Sequence, residues 1–286
     1  MAAFTDAKER DLQEKLDQLV ENGYCVFNQV LPADLLNRLR TASDQVLDAN
    51  DYQNNPTNQG NLVGMSYQIP AFLDLITWDG AQQALGQLGF DHPRYWSGFV
   101  IAKQPGEPPL YWHQDWVFWD EPETIDPMPH QLFFMYYLTD TCVENGCLRL
   151  IPQSHIRRFD IHDLLGQGHD SDVRLTTDHD QPLFLHHPSA VDVQVKAGDL
   201  VVGDARLLHS ANPNRADHRR TVLTLWYLPR FEQASARVQA GYCQRMARLN
   251  DNLDPTDRAR LQPLIPTCPD DVEPAIWNRV PSDLLH

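Results

Sequence analysis

The period of the hydrophobic pattern changes part-way along the chain. Over residues 7–21, Leu12, Leu16, Leu19 and Val20 recur at helical spacing, and Asn22-Gly23 supplies a stop. Tyr24-Cys25-Val26-Phe27 reads as a short strand. Leu31-Pro32-Ala33-Asp34 opens a second helix, with proline in its first turn and Leu35, Leu36, Leu39, Val46 and Leu47 on one face. Residues 51–66, rich in Asn, Gln and Gly, read as a loop. From Arg94 onward the pattern is one of strands. The candidates are Tyr95–Gln104, Leu110–Phe118, Gln131–Thr139, Cys147–Ile151, Val191–Val195, Asp199–Val202 and Thr221–Leu228. Their aromatic and β-branched content, with Asn-Gly and Pro breaks between them, predicts an antiparallel β-sandwich or barrel. Residues 155–190 form an excursion too long for a hairpin loop. Residues 231–262 return to a helical pattern that ends near Pro263 and Pro266.

Composition narrows the class. With 286 residues and 42% hydrophobic content the chain can bury a substantial core. A net charge of −16 disfavours nucleic acid and anionic membrane surfaces as partners. No stretch approaches the ~20 apolar residues of a membrane span, and the first ten residues carry no apolar signal core. Five cysteines without a disulfide-scaffold pattern fit a reducing cytoplasm, the expected location. Cys142 and Cys147, flanking the turn at 143–146, read as ordinary buried thiols. A small-molecule substrate is the expected partner, and a monomer or weak homo-oligomer the expected state.

The candidate chemistry centres on His113-Gln114-Asp115. On a β-strand, residues i and i+2 project to one side, so His113 and Asp115 can bind one ion while Gln114 points away. His209, after the apolar run Asp199-Leu200-Val201-Val202, supplies a second imidazole from a neighbouring strand. Two imidazoles and a carboxylate on one face of a metal leave three positions open, the arrangement of non-heme Fe(II) oxygenases. Arg220 follows eleven residues later, and its guanidinium fork can hold a carboxylate bidentately. Arg219 should point to the opposite face.

These residues sit among Trp112-His113-Gln114-Asp115, Tyr137-Leu138-Thr139-Asp140, Glu144-Asn145-Gly146-Cys147-Leu148-Arg149, Ile151-Pro152-Gln153-Ser154-His155 and Ala197-Gly198-Asp199. In that order, ahead of His209 and Arg220, they resemble the phytanoyl-CoA dioxygenase family over roughly residues 15–230. The resemblance implies a mainly β fold, a double-stranded β-helix (jelly roll, cupin-like) braced by N-terminal and C-terminal helices. It would form one domain over 1–286: a helical part at about 7–50, the core at about 94–230 and a helical extension over 231–286. Fe(II), 2-oxoglutarate as cosubstrate and O2 are implied as well. His113, Asp115 and His209 would be the metal ligands and catalytic centre, with Arg220 on the distal carboxylate of 2-oxoglutarate. The implied reaction hydroxylates an unactivated carbon of a small organic metabolite and releases succinate and CO2.

Desaturation or ring closure remains open, as does a noncatalytic metabolite sensor on the same scaffold. An intact set of four residues argues against the sensor. Halogenation is disfavoured, because Asp115 fills the position chloride would need.

Further candidates surround this set. Phe99, Ile101 and Lys103 alternate along the preceding strand, so one face would see the cosubstrate, and Met135 occupies a family position that borders 2-oxoglutarate. Core packing is the competing reading for each. In the family, serine is often two past the distal histidine, whereas here Ser210 is one past it and Ala211 two. Trp112, Trp116, Phe118 and Trp119 would pack or wall the pocket. Arg157, Arg158, Arg206 and Arg215 are candidates for receiving an anionic substrate. The excursion carries His155, His162, His169, His179, His186 and His187 without tight ligand spacing, which favours a solvated acidic loop over a second metal site. Its length and position mark it as a closing segment over the pocket.

Overall fold

A computed structural model describes residues 13–246 and 253–286. Helix α1 (residues 13–22) leads into strand β1 (Tyr24–Phe27), helix α2 (Ala33–Asp48), β2 (Asn61–Gly64), α3 (Pro70–Ile76) and α4 (Asp79–Gln87). The strands β3 (Arg94–Lys103), β4 (Leu132–Tyr137) and β5 (Leu148–Leu150) precede the short helix α5 (Ser171–Arg174). Then come β6 (Val191–Val193), β7 (Leu200–Asp204), β8 (His209–Ala211), β9 (Arg220–Leu228), α6 (Ala236–Cys243) and α7 (Pro255–Leu261). A six-stranded sheet in the order β1-β7-β4-β9-β3-β2 faces a three-stranded sheet in the order β6-β5-β8, and the paired strands run antiparallel.

Period-2 alternation sorts the side chains of the large sheet. Val100, Ala102, Phe134, Tyr136, Leu223 and Leu225 point to one side, where they pack with Leu35, Leu39, Phe72 and Leu85 of the helices. Ile101, Met135, Tyr137, Val201 and Val222 point to the other, toward Leu148, Leu150 and Val193 of the small sheet. The helices therefore cover the outside of the large sheet, and the space between the sheets is left for a site. Gly203 is required by this packing. A Cβ there would lie 2.0 Å from the Phe133 ring, which rests across β7 opposite it.

Several expectations are corrected. Leu110–Phe118 is not a strand: a single antiparallel bridge, His113 to His209, joins it to the small sheet. Leu110 also donates to the Ala211 carbonyl of β8, but the remaining donors go elsewhere, Trp112 to the Leu183 carbonyl and both Asp115 and Trp116 to that of Ala205. The 51–66 loop contains β2, because the edge of β3 offers a partner strand from Phe99 to Ala102. Helices α3 and α4 extend the helical part beyond residue 50, with Pro70 placed in the first turn of α3. Pro32 lies at the N-cap of α2, one position before the helix proper. The helical pattern over 231–262 resolves into α6 and α7, and the Leu12 and 7–12 expectations lie outside the described residues. Cys243 and Cys268 form a disulfide, against the expectation of unpaired cysteines; Cys25, Cys142 and Cys147 are free. Among the described residues no helix is long and apolar enough to cross a membrane.

Replacing Gly203 with Ala should destabilise the protein by about 1–3 kcal/mol through overpacking against Phe133. A Cβ added at Gly86 in α4 would meet nothing within 4 Å, so Gly86→Ala should instead stabilise by about 0.4–1 kcal/mol. Urea unfolding of the two variants checks both signs.

Candidate active site

One backbone contact assembles the candidate metal centre. His113 and His209 exchange hydrogen bonds, His113 N to the His209 carbonyl at 3.1 Å and His209 N to the His113 carbonyl at 3.0 Å. Directly opposed residues of an antiparallel pair put their side chains on the same face, and the two rings lie 4.1 Å apart between centroids. Asp115 follows two residues on. Its Oδ1 is 4.0 Å from His113 Nε2 and its Oδ2 is 3.7 Å from His209 Nε2. Gln114 turns away and donates from its amide to the Arg206 carbonyl.

Each imidazole is oriented through its other nitrogen. Nδ1 of His113 lies 3.1 Å from the Tyr111 carbonyl, and Nδ1 of His209 lies 3.0 Å from the Leu207 carbonyl. That commits Nδ1–H to the backbone and leaves Nε2 facing Asp115, the pattern of a metal-ligating histidine. Trp226 Nε1 donates to Asp115 Oδ2 at 2.7 Å, leaving Oδ1 available. Burial and the neighbouring His209 push the His113 pKa down to about 3. Burial would raise that of Asp115, but His209, His113, Arg279 and the Trp226 bond outweigh it and hold it low. A neutral imidazole beside an ionised carboxylate is the donor chemistry a divalent cation requires.

A further donor faces His113 and Asp115. His169, from the excursion, lies with its ring 4.8 Å from that of His113, and its ligand atom is within 4.8 Å of those of His113 and Asp115. The excursion is therefore not a uniformly solvated loop: His155 and His162 are buried in packing, and His169 enters the site. Spacing along the chain carried no signal for His169.

A cavity of about 100 Å³ lies among these donors. Its lining includes Asp115, His113, His209 and His169, and away from them Arg220, Lys103, Tyr137 and Met135. Arg220 and Lys103 are opposite each other across β9 and β3, both at the inner face and both buried. Arg220 Nε has no hydrogen-bond partner. Lys103 is pushed down to about 7 by burial and by the Arg220 charge, with Glu107 opposing. Two buried cations, one with an orphaned donor, fit the distal carboxylate of a dicarboxylic acid. Arg219 points outward to Asp44 and Asp48 of α2, so it is paired rather than freely solvated.

Other candidates fall outside the pocket. Phe99 does not line it; the ring packs edge-on against Trp226, centroids 5.8 Å apart. Trp112, Trp116, Phe118 and Trp119 are buried in packing and wall no part of it. Arg206 is buried on Asp204 and Arg158 pairs with Asp163, while Arg157 and Arg215 are exposed and none of the four lines the pocket. The Ser210 hydroxyl is committed, donating to the Leu110 carbonyl and accepting from Arg149 Nη2 at 2.7 Å.

An antiparallel two-sheet fold with paired histidines and a carboxylate between the sheets defines the class, and similarity to known proteins agrees with it. Residues 19–222 match the phytanoyl-CoA dioxygenase (PhyH) family, and the chain belongs to that family. A phytanoyl-CoA dioxygenase domain-containing protein 1 homolog of Dictyostelium discoideum is 30% identical over 120 residues, 41% of this chain and 39% of that one. A probable alpha-ketoglutarate-dependent hypophosphite dioxygenase of Stutzerimonas stutzeri is 28% identical over 128 residues, 45% of this chain and 42% of that one. The chain thus spans about two-fifths of the length of these relatives. In fold it resembles the crystal structure of the non-heme alpha ketoglutarate dependent carbocyclase SnoK from nogalamycin biosynthesis. The TM-score is 0.54 at 23% identity, covering 82% of this chain and 90% of that one.

No sequence motif marks Trp226, yet it donates to the Asp115 carboxylate. Trp226→Phe keeps the bulk and removes the donor to Asp115, so Fe(II) affinity should fall about 10–100-fold. Calorimetric metal titration of the two proteins measures it.

Proposed function

We propose that the chain is an Fe(II)- and 2-oxoglutarate-dependent oxygenase that hydroxylates an unactivated carbon of a small organic metabolite. The carrying observation is one cavity with two ends: His113, Asp115 and His209 converge at one, and Arg220 with an orphaned Nε sits beside Lys103 at the other. Family membership and the similarity to a probable alpha-ketoglutarate-dependent dioxygenase of Stutzerimonas stutzeri support it. In this reading His113, Asp115 and His209 hold iron, and Arg220 and Lys103 hold the distal carboxylate of 2-oxoglutarate. Met135 borders the cosubstrate, and Phe99 acts behind Trp226. Iron, with 2-oxoglutarate and O2 bound, supplies the oxidising power and yields succinate and CO2.

The chain's own residues contribute geometry. Tyr111 and Leu207 fix the two imidazoles through their carbonyls, and Trp226 fixes the carboxylate. Hydrophobic walls from Ile101, Leu148, Val222 and Met135 exclude water from the space between the ends. A noncatalytic sensor would bind the same molecules without turnover, so succinate formation separates the two readings.

Purified protein with Fe(II) and 2-oxoglutarate should release succinate, slowly alone and faster when a substrate screen finds the right metabolite. His113→Ala, Asp115→Ala and His209→Ala should each lose Fe(II) binding and succinate release while remaining folded. Full activity in two of the three would refute the metal assignment. Arg220→Lys should weaken 2-oxoglutarate binding by about 1.5–3 kcal/mol, the range for a lost bond to a charged group, whereas Arg219→Lys should change little.

Lys103 adds a pH dependence with a definite sign. Its pKa of about 7 in the ligand-free protein means the amine is neutral above that pH. Binding a dianion favours the charged form, so complex formation must take up a proton there. Affinity for 2-oxoglutarate should fall as pH rises from 7 to 9, by up to about tenfold per unit. Lys103→Met should bind more weakly at pH 6 and lose this slope; titrations across the pH range read both.

A further inference from the structure

His169 offers a ligand atom within 4.8 Å of those of His113 and Asp115, while His209 reaches the same carboxylate at 3.7 Å. We propose that His169 is a fourth protein ligand to the metal when no substrate is bound. This rests on the reading of His113, Asp115 and His209 as metal ligands.

The position of His169 is built. Its Nδ1 lies 2.7 Å from the Tyr111 hydroxyl, so the oxygen of that hydroxyl can accept from Nδ1–H and leave Nε2 for a metal. His113 and His209 have the same arrangement on backbone carbonyls. All three imidazoles therefore carry the outer hydrogen bond of a ligating histidine. Tyr111 serves two of them, His113 through its carbonyl and His169 through its hydroxyl, which couples the excursion to the H-x-D segment. On the far side, Arg279 packs over Gly168 so closely that a Cβ there would lie 2.6 Å from Arg279 Cδ, with Gly168 at φ +85°. Arg279 N also donates to Gln167 Oε1 at 3.0 Å. The C-terminal segment thus clamps the three residues that carry the imidazole.

The distances suffice. Two ligands about 2.1 Å from one ion are at most about 4.2 Å apart. The 4.8 Å limit on His113, Asp115 and His169 leaves about 0.6 Å to close, and His209, outside that group but 3.7 Å from Asp115, must rotate further to join them. Three protein ligands leave three of six positions open, and 2-oxoglutarate takes two. His169 in the last one leaves O2 no open position until the excursion withdraws. Substrate arrival in the same pocket is the event that would displace it.

The test uses the full chain with Co(II) in place of iron and reads coordination directly. Proton NMR of the Co(II) protein shows one strongly shifted ring N–H signal for each coordinated histidine. Three such signals are expected in the wild type. His169→Ala should lose one and keep two. His169→Gln, which fills the space better, should do the same and covers the case in which the alanine variant fails to fold. Tyr111→Phe, which removes only the hydroxyl, should weaken or abolish the same signal and spare the other two. Two signals in the wild type, unchanged in the His169 variants, would overturn the proposal and leave the three-ligand reading intact. Fewer than two in the wild type would sink the three-ligand reading itself, and this proposal with it.

Discussion

The reciprocal backbone bridge between His113 and His209 is the contact on which the site depends. Each of its two hydrogen bonds contributes only about 0.5–1.5 kcal/mol net. Its importance is geometric, because it fixes two segments nearly a hundred residues apart in a register that puts both imidazoles on one face. A shift of one residue would turn them to opposite faces. The surroundings hold that register: Leu110 N donates to the Ala211 carbonyl, and Arg149 Nη2 reaches Leu110, Phe184 and Ser210. Arg149 also lies over the Trp112 ring at 5.1 Å. One buried guanidinium thereby ties the H-x-D segment, β8 and the excursion together.

The other end of the cavity is organised by opposite physics. Lys103 and Arg220 bring two charges into an interior that the lining makes largely apolar, and burial disfavours the charged form of each. Neither contributes to folding through that burial. Glu107 offsets part of the charge, and burial raises its own pKa. On a chain of net charge −16 this local positive end is made by strand register, since residues 103 and 220 are cross-strand partners. An anion entering the cavity meets donors whose positions the strand register has already set.

Two long segments without regular strands complete the enclosure. The excursion supplies Leu183 and Leu185 carbonyls to Trp112 and places His169 in the pocket. The C-terminal segment bridges back at Asn278 to Phe118 and reaches Gln114 through Arg279. Neither makes the chemistry alone. Together they decide what else, besides the core strands, can approach the proposed metal ligands.

What could be read in the sequence were features with a short period or a fixed spacing. Alternation in Tyr95–Gln104, Gln131–Thr139 and Thr221–Leu228 located the three longest strands. The eleven-residue spacing after His209 that the family resemblance supplied picked out Arg220, with Arg219 on the opposite face. The i, i+2 spacing of His113 and Asp115 placed them together although the expected strand around them did not form. Tertiary structure alone decided the rest. Whether a segment is a strand depends on a partner's free edge, which is why β2 formed inside a polar loop and Leu110–Phe118 kept only isolated bridges. Phe99 packs against Trp226, and it is Trp226 that lines the cavity there. Trp226 on Asp115 and His169 beside His113 are contacts across 111 and 56 residues of chain. No local pattern marks such pairs, because their meeting is set by the packing of sheets and loops in space.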